Sequence, residues 1–124
     1  MRIKDQKPSA KILSMWIANA MANKRAEAIR IIDMRKISNS LMDYMVLGSG
    51  NNARQVLTLC EEVITYVRTQ CRVKPTYTEG LTGGMWGVID YIDVVAHIFD
   101  TKTRNYYALE SLWGDVPISC PYDN

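Results

Sequence analysis

The chain has 124 residues and a mass of 14.1 kDa, enough for one domain and too short for two independent cores. Fifteen Lys and Arg against thirteen Asp and Glu leave a formal charge of +2, with 48% hydrophobic and 23% charged residues. This excludes a disordered chain and argues against tight, sequence-independent nucleic-acid binding, which needs many clustered phosphate contacts. Cys60, Cys71 and Cys120 form no C-x-x-C pair and His97 is the one histidine, so neither a disulfide framework nor a zinc site is expected, and a reducing compartment is the simpler setting. The charged N-terminus has no apolar signal core, and no run approaches the roughly 18 to 20 apolar residues that span a bilayer. The expected location is the cytoplasm, with no membrane partner.

After Pro8 and Ser9, apolar residues at Ile12, Leu13, Trp16, Ile17, Ala20 and Met21 predict an amphipathic helix of 14 or so residues. The β-branched stretch from Ala28 to Met34 and the apolar run from Tyr44 to Leu47 predict two strands. Gly48-Ser-Gly-Asn-Asn52 reads as a turn that breaks the second strand, with Asn51 or Asn52 as N-cap for the next helix. That second helix, about Ala53 to Gln70, places Val56, Cys60, Val63, Ile64 and Val67 on one face. Thr76 to Thr78 fits a short edge strand behind Pro75, and Gly80 to Gly84 a flexible loop. Two further strands, Met85 to Ile89 and Val94 to Phe99, adjoin a bend at Tyr91-Ile-Asp93; the second is apolar on both alternations except at His97, as in a central strand. Asp100 or Thr101 caps a third helix with Tyr106, Leu109 and Trp113 at helical spacing, stopped by Gly114. The order α-β-β-α-β-β-β-α predicts an α/β domain over residues 1–116, with a mixed sheet of about five strands flanked by helices, and a tail over 117–124.

No catalytic constellation stands out. The Gly48-Ser-Gly50 turn lacks both the phosphate-loop and dinucleotide-binding spacings, so a structural turn outweighs an anion site. Asp90 and Asp93 flank a bend without a third carboxylate nearby, which favours structure or recognition over a metal. His97 has no nucleophile at a recognisable signature, so a hydrogen-bonded histidine within the sheet is preferred to a general base, and Cys60 reads as a small buried hydrophobe. Trp86, Val88 and Asp90 alternate onto one face with Tyr91 at the adjoining bend. An aromatic anchor beside carboxylates has the composition of a protein-binding hot spot, although on the residues alone a core role for Trp86 is equally open.

The run Trp86-Gly-Val-Ile-Asp-Tyr-Ile-Asp-Val-Val-Ala-His-Ile-Phe99, followed by Arg104-Asn-Tyr-Tyr-Ala-Leu-Glu-Ser-Leu-Trp-Gly-Asp115, resembles the ribosomal silencing factor family, RsfS or Iojap. Ile31-Ile-Asp33, Ser40-Leu-Met-Asp43-Tyr44, Gly50-Asn-Asn-Ala-Arg54-Gln-Val56 and Glu79-Gly80 extend the resemblance over residues 12–116. The resemblance implies a nucleotidyltransferase-like topology without a working carboxylate set, and hence no enzyme, cofactor or metal. It also implies a cytoplasmic factor that binds ribosomal protein L14 (uL14) of the large subunit, blocks joining of the small subunit and lowers translation. The partner-binding surface it implies comprises Trp86, Asp90, Tyr91, Asp93 and His97. Two positions depart from the family pattern: Ile92 stands where Gly is usual, and Gly87 where a β-branched residue is usual. The charge balance favours protein over rRNA contact. Two alternatives stand beside this reading: a small nucleotide-dependent enzyme using Ser49, Asp90 and Asp93, and a homodimer through a sheet edge or the Trp86 face.

Overall fold

The structure, a computed structural model, describes residues 7–37, 39–111 and 115–123. Helix α1 (Ala10–Asn23) begins where Ser9 Oγ accepts the amide N–H of Ile12 at 3.2 Å, and it buries Leu13, Ile17, Ala20 and Met21. Strands β1 (Glu27–Asp33) and β2 (Tyr44–Gly50) come next, then helix α2 (Ala53–Cys71). Asn52 caps α2 by accepting the Gln55 N–H at 2.9 Å, and the Gln55 side chain accepts the Asn51 N–H in return at 2.7 Å. The helix closes at Arg72, in the left-handed conformation with φ 57°. Its inward stripe is Val56, Leu59, Cys60, Val63 and Val67, while Ile64 is only half-buried. Leu59, not among the residues expected on that face, is fully buried because it completes the i, i+3, i+4 ladder from Val56 to Val63.

Strands β3 (Tyr77–Glu79), β4 (Trp86–Asp90) and β5 (Val94–Asp100), helix α3 (Thr101–Tyr107), a 3₁₀ turn (Leu109–Ser111) and strand β6 (Ile118–Ser119) complete the chain. The sheet order is β3-β4-β5-β2-β1-β6, with β2 and β5 parallel and every other pair antiparallel. β5 is central, as its two-sided apolar pattern predicts. The sheet has six strands where about five were expected, because Ile118 and Ser119, in the segment expected to be a tail, pair with Ile32 and Ile31 of β1.

Two further expectations are corrected. Gly48-Ser-Gly50 does not interrupt β2: all seven residues of the strand are buried, and Gly48 pairs with Ile98 of β5. A Cβ at Gly48 would lie 2.6 Å from Met21 Sδ, so the glycine serves the close approach of α1 to the sheet, not a turn. Helix α3 is capped by Asp100 as expected, but it ends at Tyr107, with Ala108 left-handed at φ 46° and Leu109 already in the 3₁₀ turn. Trp113 and Gly114, which the longer helix was to contain, lie outside the described residues.

Both α1 and α2 pack on one face of the sheet, over Ile29, Val46, Ile89, Ala96 and Ile98. On the other face Ile32, Met34, Met45, Leu47 and Phe99 form a smaller cluster, with Trp86, Leu109 and Val116 half-buried at its margin. Gly87, on the helix face of β4, keeps regular pairing with Ile98, and a Cβ there would stand 2.5 Å from Cys60 Sγ. Gly87→Ala is therefore expected to destabilise the protein by about 1–3 kcal/mol through overpacking. Combining it with Cys60→Ala should cost less than the sum of the two single changes, which a double-mutant cycle in urea denaturation measures.

Candidate functional site

The second, sparsely covered face carries the candidate site. Alternation along β4 puts Trp86, Val88 and Asp90 on this face, opposite Phe99, His97 and Val95 of β5. The Trp86 ring lies 4.9 Å from Phe99 and 4.8 Å from Tyr107 of α3, tilted against both, while His97 stacks on Phe99 at 6.0 Å. Trp86 Nε1–H donates to His97 Nδ1 at 3.0 Å. A nitrogen that accepts this bond carries no proton, so His97 is the neutral tautomer with its hydrogen on Nε2. Burial favours the same state: it holds the His97 pKa down at about 4, against the opposing pull of the Asp90 carboxylate. The indole N–H is thus satisfied internally, and what Trp86 offers a partner is ring surface.

At the far end of the row, Asp90 Oδ1 accepts the Ile92 N–H at 2.7 Å and so closes the bend that the chain makes before β5. The Asp93 carbonyl accepts the amide N–H groups of Asp43 at 2.7 Å and Tyr44 at 3.2 Å, tying the bend to the start of β2. The Asp93 side chain is exposed. Ile92 itself stands 59% exposed in the left-handed region with φ 76°, a conformation that crowds a β-branched side chain. The bend thus keeps a glycine-like backbone although Ile92 is not glycine. From Pro75 to Asp100 the chain carries Glu79, Asp90, Asp93 and Asp100 and no Lys or Arg, in a protein whose total charge is +2.

The structure therefore gathers Trp86, His97 and Asp90 on one face and sets Asp93 at its rim. Tyr91 is different: it is 6% exposed and belongs to the helix-side core on the opposite face. Its hydroxyl makes no hydrogen bond among the described residues, and burial pushes the phenol pKa well up. The strand period gives the reason, since a residue one step beyond Asp90 points the other way. Ser49 is remote from the carboxylates. It pairs with Phe99, whereas Asp90 pairs with Val95, a separation of four residues or about 13 Å along β5. Ser49 is also buried and accepts a 2.8 Å hydrogen bond from Arg104 Nη1. The residues named for a nucleotide-dependent enzyme do not converge, and no three His, Cys, Asp or Glu among the described residues are grouped to hold a metal. Tyr107, packed on Trp86, and Tyr106, packed on Tyr107, are exposed and carry no surface signal in the sequence. Tyr106, expected at helical spacing with Leu109 and Trp113, is 82% exposed.

The domain has two helices on one sheet face and, on the other, an aromatic cluster with carboxylates at the far end of its row. Comparison with known proteins narrows the class. Residues 7–123 match the family described as "Ribosomal silencing factor during starvation". The chain is similar to the ribosomal silencing factor RsfS of Bacillus subtilis, with 36% identity over 102 residues that span 82% of this chain and 85% of that one. It is also similar to the mouse mitochondrial assembly of ribosomal large subunit protein 1, with 33% identity over 73 residues, 57% of this chain and 32% of that one. A crystal structure of a Chromobacterium violaceum protein superposes with a TM-score of 0.82 at 28% identity, covering 94% of this chain and 95% of the other. The chain belongs to the ribosomal silencing factor family.

The site's geometry sets two expectations for stability. Because the folded His97 pKa of about 4 lies below its ordinary 6.5, the unfolded chain binds more protons between those values. Stability should be full above pH 6.5 and fall towards pH 4, by up to about 1.4 kcal/mol per pH unit. The depressed pKa values of Asp33 and Asp100 act only below their ordinary 3.8, so His97→Asn should flatten the pH 4 to 6.5 interval alone in denaturation midpoints. Ile92→Gly should relieve the left-handed strain and raise stability by up to about 1 kcal/mol after the added entropy of glycine, with an unchanged denaturant slope.

Proposed function

We propose that this protein silences ribosomes by occlusion, in the cytoplasm and without catalysis. Its Trp86 face docks on ribosomal protein L14 of the large subunit, and its body then stands where the small subunit would join. The observation that carries the reading is the platform itself. In a chain of the silencing-factor family, the Trp86 ring lies half-exposed with its N–H already bonded to His97, at the head of a row that ends in Asp90 and Asp93. Ring surface supplies apolar contact area, and the carboxylates attract the basic groups in which ribosomal proteins are rich.

The large subunit as partner is supported by the name of the mouse relative, an assembly protein of that subunit. A protein target fits better than rRNA, since the segment from Pro75 to Asp100 has four carboxylates and no cation with which to neutralise phosphate. In this arrangement Asp93 meets the partner directly. Asp90 divides its carboxylate between the partner and the Ile92 N–H, His97 positions the indole, and Tyr91 holds the bend from beneath. Occlusion needs only bulk and affinity, which suits a domain whose serine and carboxylates are kept apart.

The test is binding to isolated L14 protein, and then joining of purified subunits in the presence of excess protein. Trp86→Ala should weaken L14 binding by about thirtyfold, as loss of a hot-spot aromatic does, while the variant's unfolding midpoint reports any loss of fold. Binding unchanged by Trp86→Ala would remove the proposed surface, and undiminished subunit joining at saturating protein would remove the mechanism.

A further inference from the structure

The aromatic platform does not stop at Trp86. Tyr107 lies 4.8 Å from the indole, and Tyr106 sits edge-on to Tyr107 at 5.0 Å with interplanar angle 86°. Tyr106 is 82% exposed and Tyr107 48%, so neither ring is explained by the core. Both stand on α3, a helix of seven residues held in place by the Asp100 cap and by the bond from Arg104 to Ser49 in the neighbouring strand. Two solvent-facing aromatics on a braced element, in van der Waals sequence with an anchor, extend the contact area while costing little side-chain entropy.

We propose that Tyr106 and Tyr107 form a second half of the partner-binding surface, receiving long basic side chains of the protein that Trp86 engages. This rests on the docking role of the Trp86 face proposed above. The occupant follows from continuity with Trp86, which heads a row ending four residues along β4 in Asp90, with Asp93 beyond it and no Lys or Arg on β3, β4 or β5. A lysine or arginine lies over a tyrosine ring through its cation and covers it with its methylene stem. Lys102, exposed one turn before Tyr106 on α3, is the cation that a basic partner must pass, and it supplies the discriminating substitution.

The experiment measures affinity of the full chain for isolated L14 protein at two salt concentrations. Tyr106→Ala and Tyr107→Leu should each weaken binding about five- to tenfold with unchanged unfolding midpoints, whereas Tyr106→Phe, which keeps the ring, should stay within about twofold. Lys102→Glu should strengthen binding, more so at low salt. If Trp86→Ala weakens binding but the two tyrosine variants do not, the tyrosine surface is overturned and the Trp86 reading stands. If the wild type fails to bind L14, both fall. Weakened binding of Lys102→Glu to whole large subunits, with L14 affinity unaffected, would mean that α3 faces nucleic acid and would overturn the basic-peptide assignment.

Discussion

The parallel pairing of β2 with β5 joins residues about fifty positions apart and holds seven register pairs from Tyr44↔Val94 to Gly50↔Asp100. Both strands are almost wholly buried, so each of their backbone groups must find its partner in the ladder. Parallel strands cannot be joined by a tight turn. The chain between them therefore has to cross over, and α2 makes that crossing on the face where α1 also packs. One consequence is that α2 and α3 start from the same end of the sheet, where Thr101 Oγ1 approaches the Gly50 carbonyl at 3.4 Å. Another is that, among the described residues, the opposite face receives α3 and short irregular segments, with Trp86 half-buried at its margin.

That asymmetry explains how a small domain can present a polar and aromatic surface without weakening its core. The helix-side cluster holds most of the fully buried side chains, and its close packing depends on two places where a side chain is missing: Gly48 under Met21 and Gly87 under Cys60. With the core secured there, β4 and β5 are free to carry Trp86, His97, Val88 and Asp90 outward. The hydrogen bond from Trp86 to His97 then holds the ring where it packs on Phe99 and Tyr107, tilted 34° and 49° to them. A neutral histidine is needed for that bond, so burial of the imidazole and orientation of the indole are one arrangement.

Much of this was legible in the chain. The caps Asn52 and Asp100, each one of two neighbouring candidates, most of the inward stripe of α2 and the two-sided apolarity of β5 are local patterns, and each carries its own physical signature. The family motif likewise pointed at Trp86, Asp90, Asp93 and His97, which the fold brings to one face and its rim. What misled were residues whose role depends on distant neighbours. Gly48 and Gly50 look like a turn unless α1 and α2 are known to lie against them. Ile118 and Ser119 look like a tail until the edge of β1 is seen to lack a partner. Tyr91 looked like part of the surface because it sits beside Asp90 in the motif, although the alternation of the strand already sent it inward. Tyr106 was expected at helical spacing with Leu109, but α3 ends at Tyr107 before Leu109, and Tyr106 stands in solvent.

The sequence by itself determined α1, α2, the start of α3, the existence of β1 to β5 and the family, because propensity, capping and hydrophobic period act over a few residues, and the motif is long and ordered. Tertiary structure alone decided which strands are neighbours, which face stays open, and how far Ser49 lies from Asp90. Those are outcomes of non-local pairing and packing, in which the absence of a Cβ at Gly48 or Gly87 acquires meaning only when a helix arrives to fill the space. A charge of +2 over 124 residues was unremarkable as a total. The fold gives it a direction, by gathering a stretch with four carboxylates and no cation into three adjacent strands and the bend that joins two of them.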